Sequence, residues 1–256
     1  MSTLFRFACL FLLGLAGCAG MVGGERPDYS AIVANADRTE ADRQTDVRRK
    51  PAQLLEFAGV RQGMRVLDMG AGAGYSTELI ARAVGPNGRV FAQDSPEGSP
   101  RARERFAERA KSPAMRNVTL VLRHYDDPVP PAVVGLDMVT FLFAYHDTAF
   151  MPVDRAKMNQ ALFDALKPGG VLVIADHAAQ PGAGISAVKT LHRIEEATLR
   201  SEIEAAGFKL IAEGNFLRNP ADQRDAIVFR PQTPVDEFVL KFEKPAQSRP
   251  PQSNSM

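Results

Sequence analysis

Val66-Leu67-Asp68-Met69-Gly70-Ala71-Gly72-Ala73-Gly74-Tyr75-Ser76 is the stretch that decides how the rest of the chain folds. An apolar strand meets a carboxylate, then glycines at alternate positions, then a helix opening near Ser76. Glycine lacks a Cβ, so such a turn adopts backbone angles closed to other residues and lets a ligand lie against bare peptide. The helix that follows aims its first free N–H groups into the same space. A glycine-rich turn alone is weak, since it is also what any tight turn needs. Its surroundings make it informative.

Outward from this turn the chain alternates. Strands are expected at 64–69, 89–93, 118–122, 136–143 and 171–175. Helices are expected at 76–84, 101–111 and 153–166, with punctuation at Gly85-Pro86-Asn87-Gly88 and Lys167-Pro168-Gly169-Gly170. Near-continuous apolar strands between helices argue a parallel sheet covered on both faces, an α/β fold. Later come a helix over 191–206, a sixth strand at 208–213, a short strand at 226–229 within a loop excursion, and an edge or antiparallel strand at 238–242.

The glycines stand G-x-G-x-G, not the G-x-G-x-x-G of dinucleotide folds, and an Asp precedes them by two. This resembles motif I of the class I S-adenosylmethionine (SAM)-dependent methyltransferases. The Lys167–Ile174 run, a Pro-Gly-Gly exit into the fifth strand, is similar to another habitual feature of those enzymes. The resemblance spans roughly residues 50–243. It implies a Rossmann-like seven-stranded, mostly parallel sheet with helices on both faces and an antiparallel last strand. It also implies SAM as cofactor and methyl transfer as the reaction. Part of motif I also resembles the isoaspartate-repair methyltransferases, but the later chain is read as departing from them.

The cofactor site expected from these residues starts with Gly70, Ala71, Gly72 and Gly74. Asp68 either bonds the turn as a polar strand terminus or, by resemblance, shapes the methionine pocket; a carboxylate in an apolar run needs a partner. Asp94, ending the second strand, suits two vicinal ribose hydroxyls, or else caps the turn before Pro96. In similar enzymes an acid after the third strand meets the adenine amino group. That place falls here on His124, so Asp126 is the nominee and Tyr125 a stacking group, with turn chemistry as the other account of Asp126-Asp127-Pro128.

His146, after the fourth strand, is the candidate general base, because an imidazole titrates near neutrality; Tyr145 or Asp147 would orient it. All four histidines (124, 146, 177 and 192) fall where ligands bind in open α/β sheets. His146, His177, His192, Asp147 and Asp176 include suitable ligand types, but no ligand spacing supports a metal, and none is expected.

At the start, Arg6 precedes an apolar run, Phe7 to Gly17, too short for a membrane span. Its Leu15-Ala16-Gly17-Cys18 ending resembles a bacterial lipobox. That resemblance implies a signal peptide over 1–17, lipidation of Cys18, a membrane partner and a location in the cell envelope. The other account is a chance apolar start on a cytosolic enzyme. A tether over 18–27, a catalytic domain over 28–244 and a disordered tail over 245–256 follow. Residues 28–50, rich in Arg and Asp, read first as a solvated helix face with Arg38/Asp42 and Asp46/Lys50 pairs, and second as a cap on the cofactor site.

With 45% hydrophobic residues and a formal charge of +1 over 256 residues, the chain suits one well-filled domain and lacks the basic excess of a nucleic-acid binder. A small-molecule acceptor is therefore expected, with oligomeric state open. Two other functions compete. One is a non-catalytic lipoprotein retaining the SAM-binding fold. The other is a nicotinamide dehydrogenase, disfavoured by the glycine spacing and the lack of a second nucleotide-binding half.

Overall fold

The computed structural model describes residues 24–229, 231 and 233–246. Three helices lead: α1 (Tyr29–Val33), α2 (Glu40–Arg49) and α3 (Pro51–Ala58). Thr39 starts α2 through a reciprocal cap, its hydroxyl accepting the Asp42 N–H while Asp42 accepts the Thr39 N–H. Pro51 opens α3, where its missing N–H costs nothing. Then follow β1 (Arg65–Met69), α4 (Tyr75–Val84), β2 (Arg89–Asp94), α5 (Pro100–Arg109), β3 (Val118–Leu122) and β4 (Leu136–Leu142). The chain ends with α6 (Arg155–Ala165), β5 (Leu166–His177), α7 (Val188–Leu191), α8 (Glu196–Ala205), β6 (Lys209–Gly214) and β7 (Glu237–Glu243).

The seven strands form one sheet in the order β3-β2-β1-β4-β5-β7-β6. The five strands β1 to β5 pair in parallel, and β7 inserts antiparallel between β5 and β6. The expected α/β sheet with its antiparallel last strand is thus present. The chain winds outward from β1 to β3, then restarts on the other side with β4. The reversal opens a crevice beyond the carboxyl ends of β1 and β4, where open α/β sheets bind ligands.

Period-2 alternation divides the core between the two faces of the sheet. Leu67, Met69, Phe141 and Ile174 pack with Met158 and Leu162 of α6 and Leu199 and Ile203 of α8. Val66, Met138 and Val173 pack with Leu54 and Leu55 of α3 and Leu79 and Ile80 of α4. Asp68 shares the second face, which turns its carboxylate toward α4.

Two expectations need correction. The helix over 191–206 is two helices, because His192 takes a left-handed φ of 53° and Arg193 turns inward. Arg193 is fully buried, donating from Nε to Ala226 O (2.8 Å) and from Nη1 to Ala178 O (3.0 Å) and Asp222 Oδ2 (2.8 Å). The first of those bonds ties down the chain at Ala226, and no strand forms over 226–229. The described part of the tether also lies against the domain, with the Gln62 N–H donating to Glu25 O at 3.0 Å and Arg26 paired with Glu56. The signal segment, Cys18 and all of the tail beyond residue 246 lie outside the described residues.

Candidate active site

The glycine turn leaves β1 through positive φ at Gly70 (64°), Gly72 (54°) and Gly74 (80°). Gly70 is there for space as well as angle. A Cβ on it would sit 2.8 Å from the Cβ of Ala144 and 3.3 Å from the Tyr125 hydroxyl. At Gly72 a Cβ would meet nothing closer than the turn's own Gly70 O at 3.9 Å, so the peptide there faces open space. Gln93, wholly buried in β2, holds the turn: its Oε1 accepts the Gly70 N–H (3.3 Å) and its Nε2 donates to Arg123 O (2.8 Å). Arg109 of α5 donates from Nε to Ala73 O (3.0 Å) and pairs with Asp42 and Glu78.

Asp68 is buried and accepts from the hydroxyls of Thr77 (2.6 Å) and Thr140 (2.7 Å). Burial raises its pKa to about 6 against those two hydrogen bonds and the nearby Arg49 charge. Asp94 ends β2 beside the turn, since the Ala71 N–H donates to Gln93 O at 2.8 Å. Its Oδ1 accepts the Ser95 N–H (2.9 Å), and burial raises its pKa. Tyr125 packs on Phe141, ring centroids 6.0 Å apart, and burial pushes its phenol up, with Asp94 and Asp147 adding to the effect. Asp126 is half-buried, and no side-chain bond joins it to the turn among the described residues.

Helix α2 lies over this turn rather than facing solvent alone. Arg38 pairs with Asp46 and Asp42 with Arg109, in place of the expected Arg38/Asp42 and Asp46/Lys50 pairs, because Arg38 precedes the helix and Asp42 faces inward. Asp46 also accepts the Tyr75 hydroxyl at 2.5 Å. A cavity of about 420 Å³ lies beneath, lined by Thr45, Arg48 and Arg49 of α2, the turn from Gly70 to Ala73 with Tyr75, and Phe143, Ala144 and Asp147 after β4. Capping, the second of the two accounts of residues 28–50, is what the packing supports.

Arg49 is the unexpected lining residue. Its guanidinium sits 4.4 Å from the Phe143 ring centre, no carboxylate pairs with it among the described residues, and its Nε is buried without a partner. Burial, and then the neighbouring Arg48 charge, lower its pKa to about 10. Arg48 instead reaches Glu237 at 2.7 Å. Phe143 holds a left-handed φ of 61°, an outlier for an aromatic residue and a conformation kept where surroundings demand it.

The histidines divide. His124 stands apart, exposed beside Glu97. His146, His177 and His192 gather, with the His146 ring 5.5 Å from each of the other two. Asp176 Oδ1 lies 2.7 Å from His146 Nδ1, Asp176 Oδ2 accepts the His146 N–H at 2.8 Å, and Asp147 lies 3.2 Å from Nε2. Burial disfavours the imidazolium, but the Asp176 charge and the two carboxylate hydrogen bonds outweigh it and raise the pKa to about 10. With Asp176 at Nδ1 and Asp147 at Nε2, both ring nitrogens face carboxylates, so for His146 to take a proton or a ligand Nε2 has to exchange its partnership with Asp147. Tyr145 does not orient it: its hydroxyl donates to Glu202 (2.7 Å) on the other side. Gln93, Arg109 and Arg49 went unread as site residues, although an isolated polar residue near the end of an apolar strand was a usable signal for Gln93; Asp176 was weighed only as a metal ligand.

The architecture is shared with solved structures. A SAM-dependent methyltransferase from Aquifex aeolicus superimposes with a TM-score of 0.57 at 19% identity, covering 85% of this chain and 98% of that one. The fold and crevice are those of class I SAM-dependent methyltransferases, whose cofactor is SAM. More particularly, the chain belongs to the protein-L-isoaspartate(D-aspartate) O-methyltransferase family, whose profile it matches over residues 40–190. A protein-L-isoaspartate O-methyltransferase from Ignicoccus hospitalis is 32% identical over 123 residues, 48% of this chain and 52% of that protein. The ubiquinone/menaquinone biosynthesis C-methyltransferase UbiE of Yersinia enterocolitica is 30% identical over 124 residues, 48% of this chain and 46% of that protein. The chain spans about half the length of the curated relatives it matches.

Two expectations change here. The profile runs past β5 to residue 190, so the chain does not leave the isoaspartate-type family where the sequence suggested. The envelope location is overturned as well. The proteins this chain is similar to are methyltransferases, and none of the likenesses points to the envelope. A short apolar run behind a single arginine carries too little information to set a location. The lipid anchor and membrane partner built on Cys18 have no support.

Proposed function

We propose that this chain transfers the methyl group of SAM to a small-molecule acceptor, with the cofactor held in the cavity beneath α2. One observation carries the reading: open space over the bare peptide at Gly72 and an Arg49 guanidinium that has a buried, unpartnered Nε and no carboxylate partner among the described residues border the same cavity. A cofactor whose amino-acid end bears a carboxylate satisfies both. When bound, SAM supplies a methyl carbon already activated by its sulfonium.

The chain's own residues supply position. Arg49 receives the cofactor carboxylate, its charge strengthened by exclusion of water. Asp68, fixed by Thr77 and Thr140, shapes the methionine end, where Gly72 presents bare peptide and the close packing at Gly70, Ala71 and Gly74 holds the turn that carries it. Asp94, beside the turn but outside that cavity's lining, is assigned the ribose hydroxyls, and Tyr125 and Asp126, also outside it, are assigned the adenine end. Holding donor and acceptor in line while excluding water accounts for most of the acceleration such a site provides. No proton acceptor is required where the acceptor is already an anion.

Family membership favours a second reading of the acceptor, a carboxylate such as that of an isoaspartyl residue. Arg48, half-exposed on the cavity wall, is a cation suited to such a group. Calorimetric titration of the full chain with SAM and S-adenosylhomocysteine tests the first reading, with binding of both expected and binding of neither overturning it. Methyl incorporation into an isoaspartyl peptide, compared with its aspartyl isomer, separates the two acceptors.

A further inference from the structure

His146, Asp147 and His192 each offer one ligand atom, and these atoms all lie within 4.8 Å of one another. The first two belong to the turn after β4, the third to the turn after α7, and no spacing in the chain announces the meeting. Three features set the group apart from an ordinary polar cluster. The buried Asp176 holds His146 through Nδ1 at 2.7 Å and through the backbone N–H at 2.8 Å, leaving Nε2 directed at Asp147. That carboxylate-to-imidazole support is the usual outer partner of a metal-bound histidine. His192 Nδ1 is buried without a hydrogen bond, 3.5 Å from Asp147 Oδ1, on a residue held at a left-handed φ of 53°. Asp147 is also part of the cavity wall near the glycine turn.

We propose that His146 Nε2, His192 Nδ1 and the Asp147 carboxylate form a binding site for a divalent transition-metal ion. Two imidazoles and one carboxylate suit zinc, cobalt, manganese or ferrous iron, and three protein ligands leave positions open to a further donor. Because Asp147 also lines the cavity, an oxygen or nitrogen of the methyl acceptor is the donor proposed for that place. His177 is outside the set, its Nδ1 lying 3.0 Å from Glu237.

Zn²⁺ alone, titrated calorimetrically into metal-stripped full-length protein, tests the assignment, with Co²⁺ and its visible spectrum as a report on geometry. One equivalent binding in the micromolar range or tighter is expected. His192→Gly, which suits the left-handed backbone, and Asp147→Asn should each weaken binding at least tenfold. Asp176→Asn should weaken it about tenfold to a hundredfold by removing the outer partner. His124→Ala is the control for adventitious surface binding and should change nothing. Absence of one-equivalent binding, or affinity unmoved by His192→Gly and Asp147→Asn in folded protein, overturns the site. No step of the readout involves the cofactor, so failure here is distinct from failure of S-adenosylhomocysteine to bind.

Discussion

Gly70 and Gly72 sit two residues apart in one turn, yet substitution at each should fail differently. Alanine at Gly70 meets Ala144 at 2.8 Å and a φ of 64°, so its cost is to the fold, about 1–3 kcal/mol in urea unfolding. Valine at Gly72 projects into open space, so beyond the strain of its φ of 54° its cost is to binding. Loss of S-adenosylhomocysteine affinity with a far-ultraviolet spectrum retained is the expected result. Arg49→Met should cut that affinity about tenfold to a hundredfold, the value of hydrogen bonds to a charged group, while leaving the melting temperature equal or higher. An Arg49 variant that binds normally would remove its assignment to the cofactor carboxylate.

Asp68 gives a pH signature at the same scale. Its pKa is raised from 3.8 to about 6, so between those values the folded state binds more protons than the unfolded one. Stability from this group is therefore fully present below about pH 4 and lost as pH rises through 6, a swing of about 3 kcal/mol. Asp68→Asn cannot ionise, and its stability relative to the parent should rise by that order between pH 4 and pH 7.5. Urea midpoints at the two pH values check it; a constant difference would refute the raised pKa.

At the scale of elements, Arg109 joins three of them. From α5 it reaches Asp42 of α2, Glu78 of α4 and the carbonyl of Ala73 in the turn. Removing one member of so enclosed an ion group strands the others, so Arg109→Ala should destabilise by about 2–4 kcal/mol. Asp42→Ala combined with it should cost less than the sum of the two alone, because both break one network. Additive losses in such a cycle would mean that α2 is not held over the turn by this group.

For the whole molecule, the cavity is assembled from parts far apart in the chain: α2, the turn after β1 and the residues after β4. A ligand there couples them. Hydrogen exchange with and without S-adenosylhomocysteine should slow together around 45–49, 70–76 and 142–147, with β6 unchanged. Protection confined to the turn would mean that α2 takes no part in holding the cofactor.

The order of β1 to β5 with their helices and the glycine turn were legible in the chain, because each is a local pattern of apolar runs, glycine spacing and caps, whereas the inserted antiparallel strand followed from the family resemblance and the stretch over 191–229 was misread. Asp68, Asp94 and the glycines were nominated on the same ground, being adjacent to a strand end. Arg49, Arg109 and the company kept by His146 were not legible. A charged residue on a polar helix reads as solvated until the tertiary packing shows which face is turned inward. His146 read as a base for the same reason: its protonation depends on Asp176, thirty positions away in sequence and brought to 2.7 Å by the pairing of β4 with β5. Local periodicity and backbone chemistry settled the architecture, whereas burial and charge partners, which exist only in the folded state, decided what each titratable group in the crevice is able to do.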